Sequence, residues 1–158
     1  ILLALLSELP NATGVGTDLS AAALDTAKAN AQALGLTPRA DFMVGDYAEG
    51  LSGPFDLIVS NPPYVRTADI MSLAPEVRDH DPHLALDGGD DGLKAYRRIA
   101  PQAERLLSAQ GLLVLEVGRG QDGDVVRLAA AAGLTVADAP KADLAGIGRA
   151  VIARKSPS

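Results

Sequence analysis

Two nearly continuous apolar runs, FDLIVS at residues 55–60 and GLLVLEV at 111–117, most constrain how this chain can fold. A strand without polar alternation has to be covered on both faces, which is the condition of a parallel sheet flanked by helices. Parallel neighbours need long crossovers, and the rest of the chain supplies them. GVGTDL (14–19) reads as a strand, after which Ser20 caps an alanine-rich helix that runs to a stop at Gly35. ADFMVGD (40–46) is the next strand. Ahead of both, ILLALLSELP reads as a buried helix. It is shorter than the roughly 20 residues of a membrane span and has no basic region of the kind that opens a signal peptide.

Residues 62–91 carry too many prolines, glycines and aspartates for a simple connection and read as a long functional loop or lid. Residues 92–109 have a helical pattern that Pro101 is expected to kink or divide, with Gly111 stopping the helix before GLLVLEV. Residues 121–132 make a further helix, and LTVAD and RAVIARK follow with no helix-length spacer between them. Such neighbours pair antiparallel. The predicted order α, βα, βα, β, lid, α, βα, ββ describes one α/β domain over residues 1–158, doubly wound and mostly parallel, closing on an antiparallel pair. Ligands of such sheets lie at the carboxyl ends of the strands.

Composition removes several classes of chemistry. The 158 residues include no cysteine, which excludes disulfides, thiol catalysis and Cys-ligated zinc and favours a reducing, cytoplasmic setting. No metal is expected, since the two histidines, His80 and His83, share an Asp-rich loop that reads as solvated. The formal charge of −6, with no block of basic residues, does not favour long-range attraction to nucleic acid.

Three predicted strand exits carry polar residues. Asp18 follows the first; a carboxylate there can accept both hydroxyls of a ribose, and aspartate before serine is equally a helix-start residue. Asp46 and Tyr47 follow the second, where a carboxylate can accept from an adenine amino group and a phenol ring can lie against the purine, although GDY also suits a plain turn. The third exit, NPPY at 61–64, is harder to explain as a turn. Each proline fixes its own φ and holds the preceding residue extended, so Asn61 and Pro62 are both stiffened. A rigid side-chain oxygen beside a rigid carbonyl forms two acceptors for the two hydrogens of one planar NH2 group. Holding both N–H bonds favours electron density on nitrogen and aims it at an electrophile without a strong base.

FDLIVS leading into NPPY, with TDLS and GDY upstream and DPHLALDGGDDGL downstream, resembles the class I S-adenosylmethionine-dependent methyltransferases, whose sheet is Rossmann-like. Most closely it is similar to the HemK (PrmC) family of protein-(glutamine-N5) methyltransferases, which modify the Gly-Gly-Gln glutamine of peptide-chain release factors. NPPY is shared with amino-methyltransferases of nucleic acids; Asp81, Pro82, Leu86, Gly88, Gly89 and Gly92 narrow the match. The resemblance implies that Asp18 holds the ribose of S-adenosylmethionine, that Asp46 and Tyr47 contact its adenine, and that Asn61 lies between cofactor and substrate. Asn61 and Pro62 would accept the glutamine amide hydrogens, Pro63 would set the loop, and Tyr64 would pack on the amide plane. The reaction would displace the sulfonium methyl in line, leaving S-adenosylhomocysteine, and the extra proton would pass to water.

The family's first strand and glycine-rich cofactor loop have no counterpart in this sequence. They are expected upstream of Ile1, with the family's amino-terminal helical domain, so the 158 residues read as a domain truncated at its N-terminus that would have little cofactor affinity and no turnover alone. GVGTD at 14–18 leads directly into the ribose acid and is not that loop. Two other functions compete with release-factor methylation. One is an N6-adenine or other nucleic-acid amino-methyltransferase, and the other is an inactive methyltransferase-like binding subunit.

Overall fold

The computed structural model describes residues 1–136 and 139–156. The chain forms two compact units, residues 1–51 and 52–158, each described by itself.

The first unit contains helix α1 (Leu2–Glu8), strand β1 (Gly14–Asp18), helix α2 (Ala21–Ala33) and strand β2 (Ala40–Val44). β1 and β2 pair in parallel from Gly14 opposite Ala40 to Asp18 opposite Val44, so their carboxyl ends are flush. Ser20 caps α2 as its sequence predicts, its hydroxyl accepting from the Ala23 amide at 3.2 Å. The helix ends at Ala33, two residues before Gly35 at φ 68°. Leu6, Ala31, Leu36 and Ala40 form the core of this unit, with Leu2, Leu3 and Phe42 against it.

α1 is less buried than its composition predicts. Only Leu6 is fully covered, whereas Ile1 and Leu9 are 65% and 47% exposed, because seven residues can turn only one narrow face inward. Its C-terminal carbonyls have no basic residue within the helix to meet them. Arg39 does so from about thirty residues away, donating to Leu6 O and Ala12 O at 2.8 Å each and to Leu9 O at 3.0 Å. A guanidinium combines the charge that a helix C-terminus favours with a fan of donors for its orphan carbonyls. Arg39→Ala should therefore destabilise this unit by about 2 kcal/mol in denaturant unfolding, since hydrogen bonds to charged groups contribute roughly 1.5–3 kcal/mol. Arg39→Lys, a point charge without the fork, should recover only part of that loss.

The second unit begins with β3 (Phe55–Ser60) and passes through two single-turn helices, α3 (Pro75–Arg78) and α4 (His83–Leu86). Then come α5 (Lys94–Leu106), β4 (Leu107–Glu116), α6 (Asp122–Ala131), β5 (Leu134–Val136), β6 (Lys141–Ala142) and β7 (Gly148–Lys155). The sheet order is β3-β4-β7-β5, with β6 also on β7. β3 and β4 are parallel, and β7 runs antiparallel to β4 and, as the short spacer predicts, to β5. Ala137 and Asp138, the end of the predicted strand LTVAD, lie outside the described residues. FDLIVS is less covered than a central strand would be: β3 is the edge of this sheet, and Leu57 is 38% exposed.

The helix expected over residues 92–109 is shorter than predicted and is not divided at Pro101, which sits inside an uninterrupted α5. Its buried residues Ala95, Tyr96, Ile99, Ala100, Ala103 and Leu106 make one continuous stripe, and tertiary burial outweighs the lost backbone bond. Gly111 does not stop this helix. β4 has already begun at Leu107, which pairs with Phe55, and the register then shifts so that Leu57 meets Leu112. Gly111 allows that irregularity: a Cβ there would lie 2.7 Å from Phe55 O. No helix among the described residues is long and apolar enough to cross a membrane.

Candidate functional site

In the first unit β1 ends at Asp18, and β2 leads through Gly45 to Asp46 and Tyr47. The flush ends of β1 and β2 place the two exits side by side, and Gly45 N donates to Asp18 O at 3.1 Å. Asp18 does act at the helix start, where Oδ1 accepts the Ser20 amide at 2.8 Å, and its side chain remains exposed. Asp46 opens the following turn, its carbonyl accepting from Glu49 N at 3.2 Å. Tyr47 has φ 55°, the one positive value among the described non-glycine residues. A left-handed backbone at such a residue costs about 1–2 kcal/mol, and strain of this kind collects where a side chain must be aimed. A concavity of about 280 Å³ in this unit takes in Asp18 but is walled chiefly by Leu2, Leu3, Leu24 and Phe42. Neither Asp46 nor Tyr47 borders it, so the hollow reaches the first strand exit but not the second.

In the second unit NPPY leaves the carboxyl end of β3, with Asn61 exposed, Pro62 buried, and Pro63 and Tyr64 half-buried. The lid then returns and buckles onto the segment that follows the motif. Val65 N donates to Leu86 O at 3.0 Å, Gly88 N to Val65 O at 2.8 Å, and Thr67 N to Gly89 O at 3.1 Å. Val65 and Asp87 form a parallel bridge. A Cβ at Gly88 would lie 2.8 Å from Tyr64 Cα, so the two backbones touch. The DGGDDGL element is thus the fastening of the NPPY loop.

Two carboxylates lock that fastening. Asp87 Oδ1 accepts from Thr67 Oγ1 at 2.6 Å and from Gly89 N at 2.9 Å, and these bonds hold its carboxyl below the usual range. Asp91 accepts from Leu93 N at 3.0 Å and from both terminal nitrogens of Arg97, at 3.0 and 2.5 Å. The bond to Arg97, followed by that to Leu93, lowers its pKa to about 2. A depressed acid stabilises the fold above its unfolded pKa of about 3.9, and the contribution fades as pH falls through the folded value. Carbon-detected NMR should show Asp91 titrating near 2, and in Arg97→Gln its midpoint should rise toward the unfolded value. An unchanged midpoint in that variant would show that Arg97 is not the cause.

Tyr64 is fixed at both ends. Its hydroxyl donates to Glu116 Oε1 at 3.4 Å, and its carbonyl accepts from Gln121 Nε2 at 3.0 Å. Burial pushes the phenol up, and the charge of Glu116 adds to the effect, so the ring is neutral at physiological pH. Glu116 ends β4 and Gln121 opens α6. Both belong to a fourth strand exit that sequence reasoning did not weigh. The available signal was the polar turn GRGQDGD at 118–124, directly after an apolar strand.

Comparison with known proteins adds a family to this geometry. The Methyltransferase small domain model matches residues 1–89. A release factor glutamine methyltransferase of Bradyrhizobium diazoefficiens is 58% identical over 157 residues, covering 99% of this chain and 53% of that protein. One from Rhodospirillum rubrum is 51% identical over 155 residues, covering 98% of this chain and 47% of that one. The chain spans about half the length of the curated relatives it matches. Among solved structures, a SAM-dependent methyltransferase from Methanosarcina mazei superposes with a TM-score of 0.65 at 16% identity, covering 100% of this chain and 88% of that one. That likeness shows the Rossmann-like methyltransferase fold, and the match to the family model over more than half of the residues shows membership: the chain belongs to the methyltransferase small domain family.

Proposed function

We propose that the full-length protein transfers a methyl group from S-adenosylmethionine to the side-chain amide nitrogen of the glutamine in the Gly-Gly-Gln motif of a peptide-chain release factor, in the cytoplasm. The observation that carries this reading is the NPPY loop, which leaves a parallel strand at its carboxyl end and is fastened by the lid bonds at Val65, Thr67 and Gly88. The names of the relatives from Bradyrhizobium and Rhodospirillum support the choice of substrate.

The polar strand exits fit the cofactor by their donor and acceptor chemistry. Asp18, exposed at the end of β1, offers acceptors for the ribose hydroxyls. In this reading Asp46 accepts from the adenine amino group and Tyr47, whose φ is 55°, lays its ring against the purine. S-adenosylmethionine supplies a methyl group activated by its sulfonium. The Oδ1 of Asn61 and the carbonyl of Pro62 accept the two hydrogens of the glutamine amide. Pro63 sets the loop, and the Tyr64 ring, tethered through its hydroxyl and its carbonyl, covers the amide plane. An amide nitrogen held in this way is oriented for attack by positioning and electrostatics, and its surplus proton leaves to water.

The test incubates full-length protein with methyl-labelled S-adenosylmethionine and, separately, release factor, ribosomal protein, tRNA and DNA. Label is expected on the Gly-Gly-Gln glutamine alone. Label confined to nucleic acid would replace this reading by a nucleic-acid amino-methyltransferase, and no binding of S-adenosylmethionine by calorimetry would favour an inactive partner subunit.

A further inference from the structure

Gln121 is placed where a helix-capping residue is expected and does not cap. It is the N-cap of α6, yet its side chain makes no bond to the helix, whose first turn has Asp122 and Asp124 to meet the positive end of the dipole. The amide is used elsewhere. Oε1 accepts from Gly118 N at 3.1 Å, and Nε2 donates to Tyr64 O at 3.0 Å and to Gly92 O at 3.4 Å. Two hydrogens on Nε2 and two carbonyl acceptors match one for one. The reversed amide would set an oxygen against two carbonyl oxygens, so the orientation is dictated by the partners.

The surroundings are shaped for this amide. A Cβ on Gly92 would lie 2.4 Å from Nε2, and one on Gly118 would lie 2.5 Å from Oε1. One side chain therefore joins three turns: the exit of the NPPY loop, the glycine turn of the lid and the turn from β4 into α6. Tyr64 follows Pro63 directly, so its carbonyl is the first backbone acceptor after the proline pair.

We infer that Gln121 is a positioning residue for transfer: by holding the carbonyl of Tyr64 against the lid turn at Gly92 and the β4–α6 turn at Gly118, it keeps the acceptors of Asn61 and Pro62 in register for the substrate amide. The inference rests on the proposed reading of NPPY as an amide clamp, and its test separates the two. In full-length Gln121→Ala, hydrogen exchange at Val65, Thr67 and Gly88 should quicken about tenfold or more, while Leu113 and Leu115 in β4 keep their protection. With release factor as substrate, kcat should fall roughly ten- to a hundredfold, the scale of a misplacement near 1 Å, with the KM for S-adenosylmethionine unchanged. Unaltered exchange at the three lid amides overturns the inference, and so does faster exchange with wild-type kcat. If wild-type protein leaves release factor unmethylated, the proposed function fails, and the exchange rates alone decide whether Gln121 is the clamp.

Should Gln121→Ala fail to fold, Gln121→Glu keeps the volume and turns a carboxylate against two carbonyls. Protonation restores one donor, so lid protection, corrected for intrinsic exchange, should recover as pH falls toward 5. A flat profile overturns the inference, because packing alone does not depend on that proton.

Discussion

Replacing Asn61 by alanine should reduce methyl transfer to release factor by about two to three orders of magnitude while leaving the melting temperature within a degree or two of wild type. The magnitude is that of deleting one preorganised hydrogen-bonding group from a site where charge develops. The small structural effect follows from the placement of Asn61, which is exposed, while neighbouring Pro62 is buried and anchors the turn. An exposed side chain without a cap, a metal or a core contact to lose contributes within about 0.5 kcal/mol to stability. Asn61→Asp sharpens the test. It retains an acceptor at the same distance but brings a charge, and it should recover more activity than alanine if acceptance is what matters. Near-normal turnover in Asn61→Ala would show that the proline-stiffened loop shapes a surface and does not orient an amide.

The NPPY loop at the end of β3 was legible because proline acts locally. Two adjacent prolines restrict the backbone whatever surrounds them, and their place after FDLIVS follows from an apolar run that only a strand explains. Ser20 as a cap and the antiparallel pairing of RAVIARK are of the same kind, each fixed by a few neighbouring residues. What escaped was decided by contacts distant in sequence. Arg39 serves the end of α1 from about thirty residues away, and Gln121 reaches Tyr64 across 57. The boundary between α5 and β4 was misplaced for the same reason: Leu107 is strand because Phe55 lies beside it, and no propensity within residues 92–109 contains that fact. Asp18 shows the intermediate case. Its turn with Ser20 was foreseen as an alternative to ribose binding, yet one carboxylate oxygen suffices for the turn, so the two roles are compatible.

Gly92→Ala should cost about 3 kcal/mol of stability and most of the transfer activity, while Gly120→Ala should cost about 1 kcal/mol and leave transfer intact. The two glycines share a left-handed backbone, with φ 74° and 78°. An alanine at either therefore meets the same conformational penalty of roughly 1–2 kcal/mol. They differ in what the added methyl encounters. At Gly120 there is open space, whereas at Gly92 it would lie 2.5 Å from Tyr64 O and 2.4 Å from Gln121 Nε2. The backbone oxygen cannot step aside without moving the Tyr64–Val65 peptide, so relief of the clash displaces the loop on which Asn61 and Pro62 sit. A displacement near 1 Å in a positioning site is worth roughly a hundredfold in rate. The pair of variants thus holds backbone strain constant and varies only the contact. Equal loss of activity in both would mean that strain in the turns, and not the junction of lid and NPPY loop, sets the geometry of the clamp.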